Sequence, residues 1–224
     1  MPDCRHCVHL DPSKPQCMLA PIDSASDAHR KHKARVKACE TAVLMKYADQ
    51  FSGDVLEVGP GVYKVPRNTI KRRATWYGID PAWDDNPTEK AYKSNVSNIP
   101  FPNDRFDWVV SFASIEHWGE RGDMVEDGLR EIFRVMKPGG HLLVTSQYFN
   151  HGHDLFYLGQ RDRIGQIFRS VPWYNIEFEE WSAISLPLSP LQEWRIERHR
   201  IEKLLIATNG VEPFTSTLEV FARK

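Results

Sequence analysis

Two groups of residues in this chain have types and spacings that do chemistry. In Glu57-Val-Gly-Pro-Gly61, the glycines at 59 and 61 let the backbone turn tightly and meet a ligand with no Cβ in the way. Asp80 follows, and a carboxylate at that place can accept hydrogen bonds from both hydroxyls of a ribose; a strand-end aspartate can equally just cap a turn. A dinucleotide fingerprint needs a third glycine three residues after Gly61, and Lys64 stands there, so NAD is disfavoured. The second group is Cys4, Cys7, Cys17 and Cys39, which are all the cysteines of the chain. The close pair Cys4/Cys7 with Cys17 supplies three soft ligands in the manner of a metal knuckle. Cys39, His6, His9, His29 or His32 could complete it, and zinc is the metal expected because nothing points to redox chemistry. The alternative is a loose tail with free thiols. Cys39 also lies on an apolar helix stripe, where a buried inert thiol is ordinary.

Regular elements must position these groups. Val36, Cys39, Val43 and Tyr47 recur at helical spacing, predicting a helix from Ala28 that ends near Ser52-Gly53. Short apolar runs at 54–59, 76–80, 106–112 and 141–146 read as buried parallel strands. Leu129, Ile132, Phe133 and Met136 form the stripe of a helix expected to stop at Lys137-Pro-Gly-Gly140. Strands alternating with helices imply an α/β fold: a Rossmann-like, open, mostly parallel twisted sheet flanked by helices. Further on, 161–168 suits a helix and 175–181 a strand. Leu191, Trp194, Ile201, Leu204 and Leu205 suit a helix ending at Asn209-Gly210, and 217–222 a final strand. Two regions are expected, a Cys-containing N-terminal extension over 1–27 and one α/β domain over 28–224.

Composition narrows the partners. The 224 residues suit one domain with an extension, and 41% hydrophobic residues can build its core. A net charge of −1 gives no electrostatic case for nucleic acid or an anionic membrane. No apolar run approaches the ~20 residues of a membrane span, and the first residues lack the apolar stretch of a secretory signal, so a cytoplasmic protein is expected.

Taken in order, Val55-Leu-Glu-Val-Gly-Pro-Gly61, Gly78-Ile-Asp80, Ile99-Pro-Phe101, Arg105-Phe-Asp-Trp-Val-Val110, Ile115-Glu-His117 and Leu129–Gly140 resemble the class I methyltransferases of the small-molecule type, close to the methyltransferase type 11 group. The resemblance spans roughly residues 40–150. It implies S-adenosylmethionine as cofactor. Glu57 would lie near its methionine ammonium, Gly59 and Gly61 would allow backbone approach, and Asp80 would hold the ribose. Asn95 stands where the family has an aspartate for the adenine amino group; its side-chain oxygen can still accept that bond, with Val96 beside it. Ser111 to Ile115 would lie beneath the sulfonium.

Methyl transfer from a sulfonium is an in-line displacement in which the protein aligns the partners and takes the acceptor's proton. His117 is the base candidate, because imidazole titrates near neutrality, and Glu116 is the second. Both also suit a structural pair. The segment 148–157, with His151 and His153, is a candidate lining for an acceptor pocket, since loops at the carboxyl ends of strands line the crevice of such sheets; a surface loop with incidental histidines is the alternative. The runs 156–164 and 175–181 are similar to a glycan-modifying branch of the family, and Trp173, Tyr174 and Trp181 could stack on sugar faces, although aromatics in this setting more often belong to the core. The expected acceptor is therefore a small molecule or sugar, methylated at oxygen. A protein or RNA methyltransferase and a catalytically silent binding module are the alternatives.

Overall fold

The computed structural model describes residues 27–147, 154–157, 160–185, 194–200 and 217–224. Eight strands form one sheet in the order β3-β2-β1-β4-β5-β8-β6-β7. β1 (Asp54–Val58), β2 (Thr75–Ile79), β3 (Ala91–Tyr92), β4 (Phe106–Phe112) and β5 (Met136–Gln147) are parallel neighbours. β6 (Asn175–Ser185), β7 (Trp194–Arg200) and β8 (Thr217–Arg223) complete the sheet by antiparallel pairing. This is the Rossmann-like architecture expected from the sequence.

β1, β4 and the stretch 142–147 of β5 are buried on both faces, which explains their apolar runs. Leu56, Val58, Val109, Leu142 and Val144 pack on one face against Leu129, Ile132 and Val135 of α3 (Val125–Val135). Val55, Trp76, Trp108, Val110 and Leu143 pack on the other against Val43, Leu44 and Tyr47 of α1 (Asp27–Tyr47). Each fully buried Leu or Val is worth about 1.5–3 kcal/mol. The remaining helices are α2 (Val65–Ile70), α4 (Asp154–Tyr157) and α5 (Arg161–Arg169). No described helix is long and apolar enough to cross a membrane.

Two expectations are corrected. α3 ends at Val135 rather than at the Lys137-Pro-Gly-Gly140 segment, which belongs to β5. The residue before a proline disfavours helical backbone, so the chain turns extended at once. The helix expected between Leu191 and Asn209 is contradicted over Trp194–Arg200, which is β7, in register from Glu179↔Arg200 to Ser185↔Trp194. Trp194 and Ile196 alternate at the period of a strand, and the β6 edge offers them a ladder. Residues 201–216 lie outside the described residues, as does nearly all of the Cys-containing extension.

Candidate functional site

The site lies at the carboxyl ends of β1, β2, β4 and β5, where an open α/β sheet presents its crevice. β1 delivers Glu57, which is 1% exposed. Its Oε2 accepts a hydrogen bond from Trp76 Nε1 at 2.6 Å. Burial pushes its carboxyl up to about 8, against the lowering effects of that bond and of Arg67, whose guanidinium lies 4.5 Å over the Trp76 ring. The turn after β1 needs its glycines: Gly59 has φ +66°, and a Cβ there would sit 2.0 Å from Ser114 Oγ. The cofactor-type loop therefore rests directly on the segment that follows β4. Gly61, at φ +52°, faces open space.

Asp80 is buried, and it ties the two loops together. Gly61 N–H donates to its Oδ2 at 3.0 Å, and Ala82 N–H to its Oδ1 at 2.9 Å. The two readings of Asp80 are thus compatible, since a carboxylate offers about four acceptor sites and the turn takes only two. Beside it opens a cleft of about 450 Å³ lined by Pro60, Gly61, Val62, Tyr63, Arg67 and Trp83. The half-buried Trp83 offers this cleft an aromatic wall. Asn95 is half-buried next to the strand that Asp80 ends, because Ser94 N–H donates to Asp80 O at 3.4 Å. Its side chain does not cap the short turn Val96–Asn98, and Val96 is buried beneath.

β4 and the 3₁₀ turn Ile115–Arg121 bring Ser111, Glu116 and His117 to the same end. Ser111 and Glu116 are fully buried, and His117 is half-buried. Ser146 Oγ of β5 donates to Glu116 Oε2 at 3.2 Å. Ser111 Oγ and Glu116 Oε1 have no hydrogen-bond partner among the described residues. Burial pushes the Glu116 carboxyl up to about 7, with Glu40 raising it further and His117 opposing.

Glu40 is a buried acid beside the candidate site that sequence reasoning missed. It is 1% exposed on α1, held by Lys37 Nζ at 2.6 Å and by Gln147 Nε2 at 3.3 Å. A signal was present: an acid one residue from Cys39 and four from Val36 interrupts an apolar stripe. Lys37 Nζ also lies 4.0 Å over the Tyr63 ring, and Tyr63 meets Thr41 at 3.3 Å, so α1 folds over the loop after Gly61.

Other expectations are corrected or stand apart. Cys39 is not presented as a metal ligand: it is 2% exposed, hydrogen-bonded to Thr217, and burial pushes its thiol up to about 11. No group of three His, Cys, Asp or Glu among the described residues could hold a metal. Cys4, Cys7 and Cys17 lie outside the described residues, as do His151 and His153. Trp173 and Tyr174 precede β6, which begins beside the start of the buried core of β5, at the end of the sheet away from the site. Trp173 packs on Phe133 and donates to Phe168 O at 2.8 Å, so it serves the core rather than a sugar. Trp181 donates to Glu219 Oε2 at 2.6 Å and is likewise committed.

With this geometry in place, comparison with known proteins is informative. Residues 56–144 match the methyltransferase domain family. The chain is 24% identical over 162 residues to a ubiquinone/menaquinone biosynthesis C-methyltransferase of Stenotrophomonas maltophilia, covering 69% of this chain and 57% of that protein. It is 41% identical over 49 residues to an uncharacterized protein of Escherichia coli, 22% of each chain. The chain thus spans little more than half the length of the first of these relatives, and less of the second. Among solved structures, it is similar in fold to a SAM-dependent methyltransferase from Archaeoglobus fulgidus, with TM-score 0.59 and 16% identity over 88% of this chain and 98% of that one. A SAM-dependent methyltransferase from Thermotoga maritima gives TM-score 0.56 and 14% identity over 88% and 95%.

Proposed function

We infer that this chain, which belongs to the class I S-adenosylmethionine-dependent methyltransferases, transfers the cofactor's methyl group to a hydroxyl of a small-molecule or glycan acceptor. The observation that carries the reading is the Gly59–Gly61 turn closed onto Asp80, with a cleft beside it. The residues present suit the cofactor. Glu57 is a buried acid for the ammonium, and Asp80 keeps acceptor sites for the ribose. Asn95 and Val96 offer an amide and an apolar floor for the adenine. When bound, the cofactor supplies an electrophilic methyl on a sulfonium. His117 takes the acceptor's proton as the methyl moves in line. The oxygen acceptor rests on the likeness of the segments 156–164 and 175–181 to a glycan-modifying branch.

A carbon acceptor on a quinone-type ring is the second reading, favoured by the relative from Stenotrophomonas maltophilia. A protein or RNA acceptor is disfavoured by the net charge of −1. A silent module is disfavoured by the intact loop and acid, which a copy without cofactor need not keep. Zinc at Cys4, Cys7 and Cys17 stays a proposal, to be tested by metal analysis of the full chain. The function itself is tested by calorimetry with S-adenosylmethionine and S-adenosylhomocysteine, followed by a screen of sugar hydroxyls for release of S-adenosylhomocysteine. Absence of binding to folded protein would remove the enzyme reading.

A further inference from the structure

A buried carboxylate oxygen without a donor is costly, and one persists here only if something else satisfies it. Glu116 Oε1 is such an atom, and Ser111 Oγ is the other one among the described residues. Both belong to one cluster. Ser111 pairs with Val144 across β4 and β5, and Ser146 is the next β5 residue on that same face. Ser146 holds the other oxygen of Glu116. This cluster adjoins the cofactor loop, because Gly59 packs against Ser114, two residues before Glu116. Two oxygens lacking donors, beside a loop built for a cofactor that carries a cationic sulfur, are an arrangement suited to a cation that brings no hydrogen to donate.

We propose that Glu116, with Ser111 beside it, is the counter-ion of the cofactor's sulfonium, and that this pairing makes the site favour the charged methyl donor over its neutral spent thioether. The proposal rests on the methyltransferase reading above and leaves the acceptor's proton to His117. Methyl transfer breaks the C–S bond, leaves sulfur neutral and removes the cation that Glu116 faces. The product then loses an attraction that the substrate had, which assists its release. In a water-poor site this difference is far larger than in solution.

The charged groups around Glu116 come from each packed element. His117 is its chain neighbour, and α1 supplies Glu40, held by Lys37. β5 presents Ser146 and Gln147, which do not titrate. On α3, Asp127 and Glu131 are paired with Arg130 and Arg134, and Glu126 lies in its first turn. Glu57, on β1, meets the part of the cofactor that donor and product share, so its titration cancels in their ratio.

The test is calorimetry on the full chain with S-adenosylmethionine and S-adenosylhomocysteine, between about pH 5.5 and about pH 8.5, which brackets the titration. The affinity ratio of donor over product should rise about tenfold with pH, the change expected when an opposite charge shifts a carboxyl by one unit. In Glu116→Gln the ratio should stay flat while affinity for S-adenosylhomocysteine is kept. In Glu116→Asp, a second variant should Glu116→Gln fail to fold, the rise should persist with smaller amplitude. A protonated His117 would repel the sulfonium and give the same sign, so His117→Asn must retain the rise. A flat ratio in the native chain, or a rise that survives Glu116→Gln or disappears in His117→Asn, overturns the proposal and leaves the methyltransferase reading standing. Failure of both ligands to bind the folded native chain overturns that reading, and the proposal with it.

Discussion

Replacing Glu57 with Gln should change how stability depends on pH more than it changes stability itself. The amide oxygen of Gln can keep the hydrogen bond from Trp76 Nε1, so packing and hydrogen bonding are preserved while the titration is removed. In the folded chain the Glu57 carboxyl is pushed from 4.5 to about 8. Its folded pKa is raised, so the folded state binds the proton more tightly than the unfolded state. The stability this confers is complete below the unfolded value, and it is lost as pH climbs to the folded value. Each unit is worth 1.36 kcal/mol, so the whole interval amounts to roughly 5 kcal/mol and the part above pH 5 to roughly 4 kcal/mol, with no discount for solvent because the side chain is buried. Urea unfolding followed from about pH 5 to about pH 8.5 should show the native chain weakening relative to Glu57→Gln by roughly that amount. The contributions of Glu116 and of the histidines are common to both proteins and cancel in the difference. Parallel curves, or a native chain that gains on the variant as pH rises, would refute the assignment of a buried, neutral Glu57.

Asp80→Ala should weaken S-adenosylhomocysteine binding by roughly 1–3 kcal/mol in calorimetry, through the loss of a charged acceptor and of the Gly61 and Ala82 contacts. Gly59→Ala forces a Cβ into Ser114 at positive φ, and should abolish measurable binding while lowering the melting temperature. Glu219→Ala strands Lys46, Tyr47 and Trp181, which all donate to it; about 3 kcal/mol and a fall in Tm of roughly 6–12 °C are expected by calorimetric melting. Tyr47 should stay un-ionised in an alkaline absorbance titration until the chain unfolds, because burial and the Glu219 carboxylate push its hydroxyl above the ordinary range.

Four strands of the parallel half were legible because β1, β2, β4 and the second half of β5 are short apolar runs, the first two closed by Gly59 and Asp80, and α3 carries its stripe at i, i+3 and i+4; β3, only Ala91–Tyr92, is too short to show a pattern. The loop and Asp80 were legible for the same reason, their chemistry being written in consecutive residues. Glu40 was hidden because its partners Gln147 and Lys37 join it only once α1 lies across the carboxyl edge of β5. β7 was misread because Trp194 and Leu191 fit a helical period when taken alone, and only the free edge of β6 decides for a strand. For Trp173 and Trp181 the sequence left a sugar face and the core both open, and their partners decide for the core. Their types suit a sugar, but Phe168 O and Glu219 claim their indole N–H groups.

β8 lies between β5 and β6, so a strand that follows both in sequence bridges two halves of the sheet that were made before it. Lys224 continues the stitching, donating its N–H to Gly140 O and its ammonium to Met136 O. During synthesis, β1 to β5 can pair as they emerge, but the β6–β7 hairpin has no neighbour to join until 217–223 leaves the ribosome. Assembly of this half waits for β8, and removing that strand would leave two unpaired sheet edges facing each other, ready to capture strands from other chains.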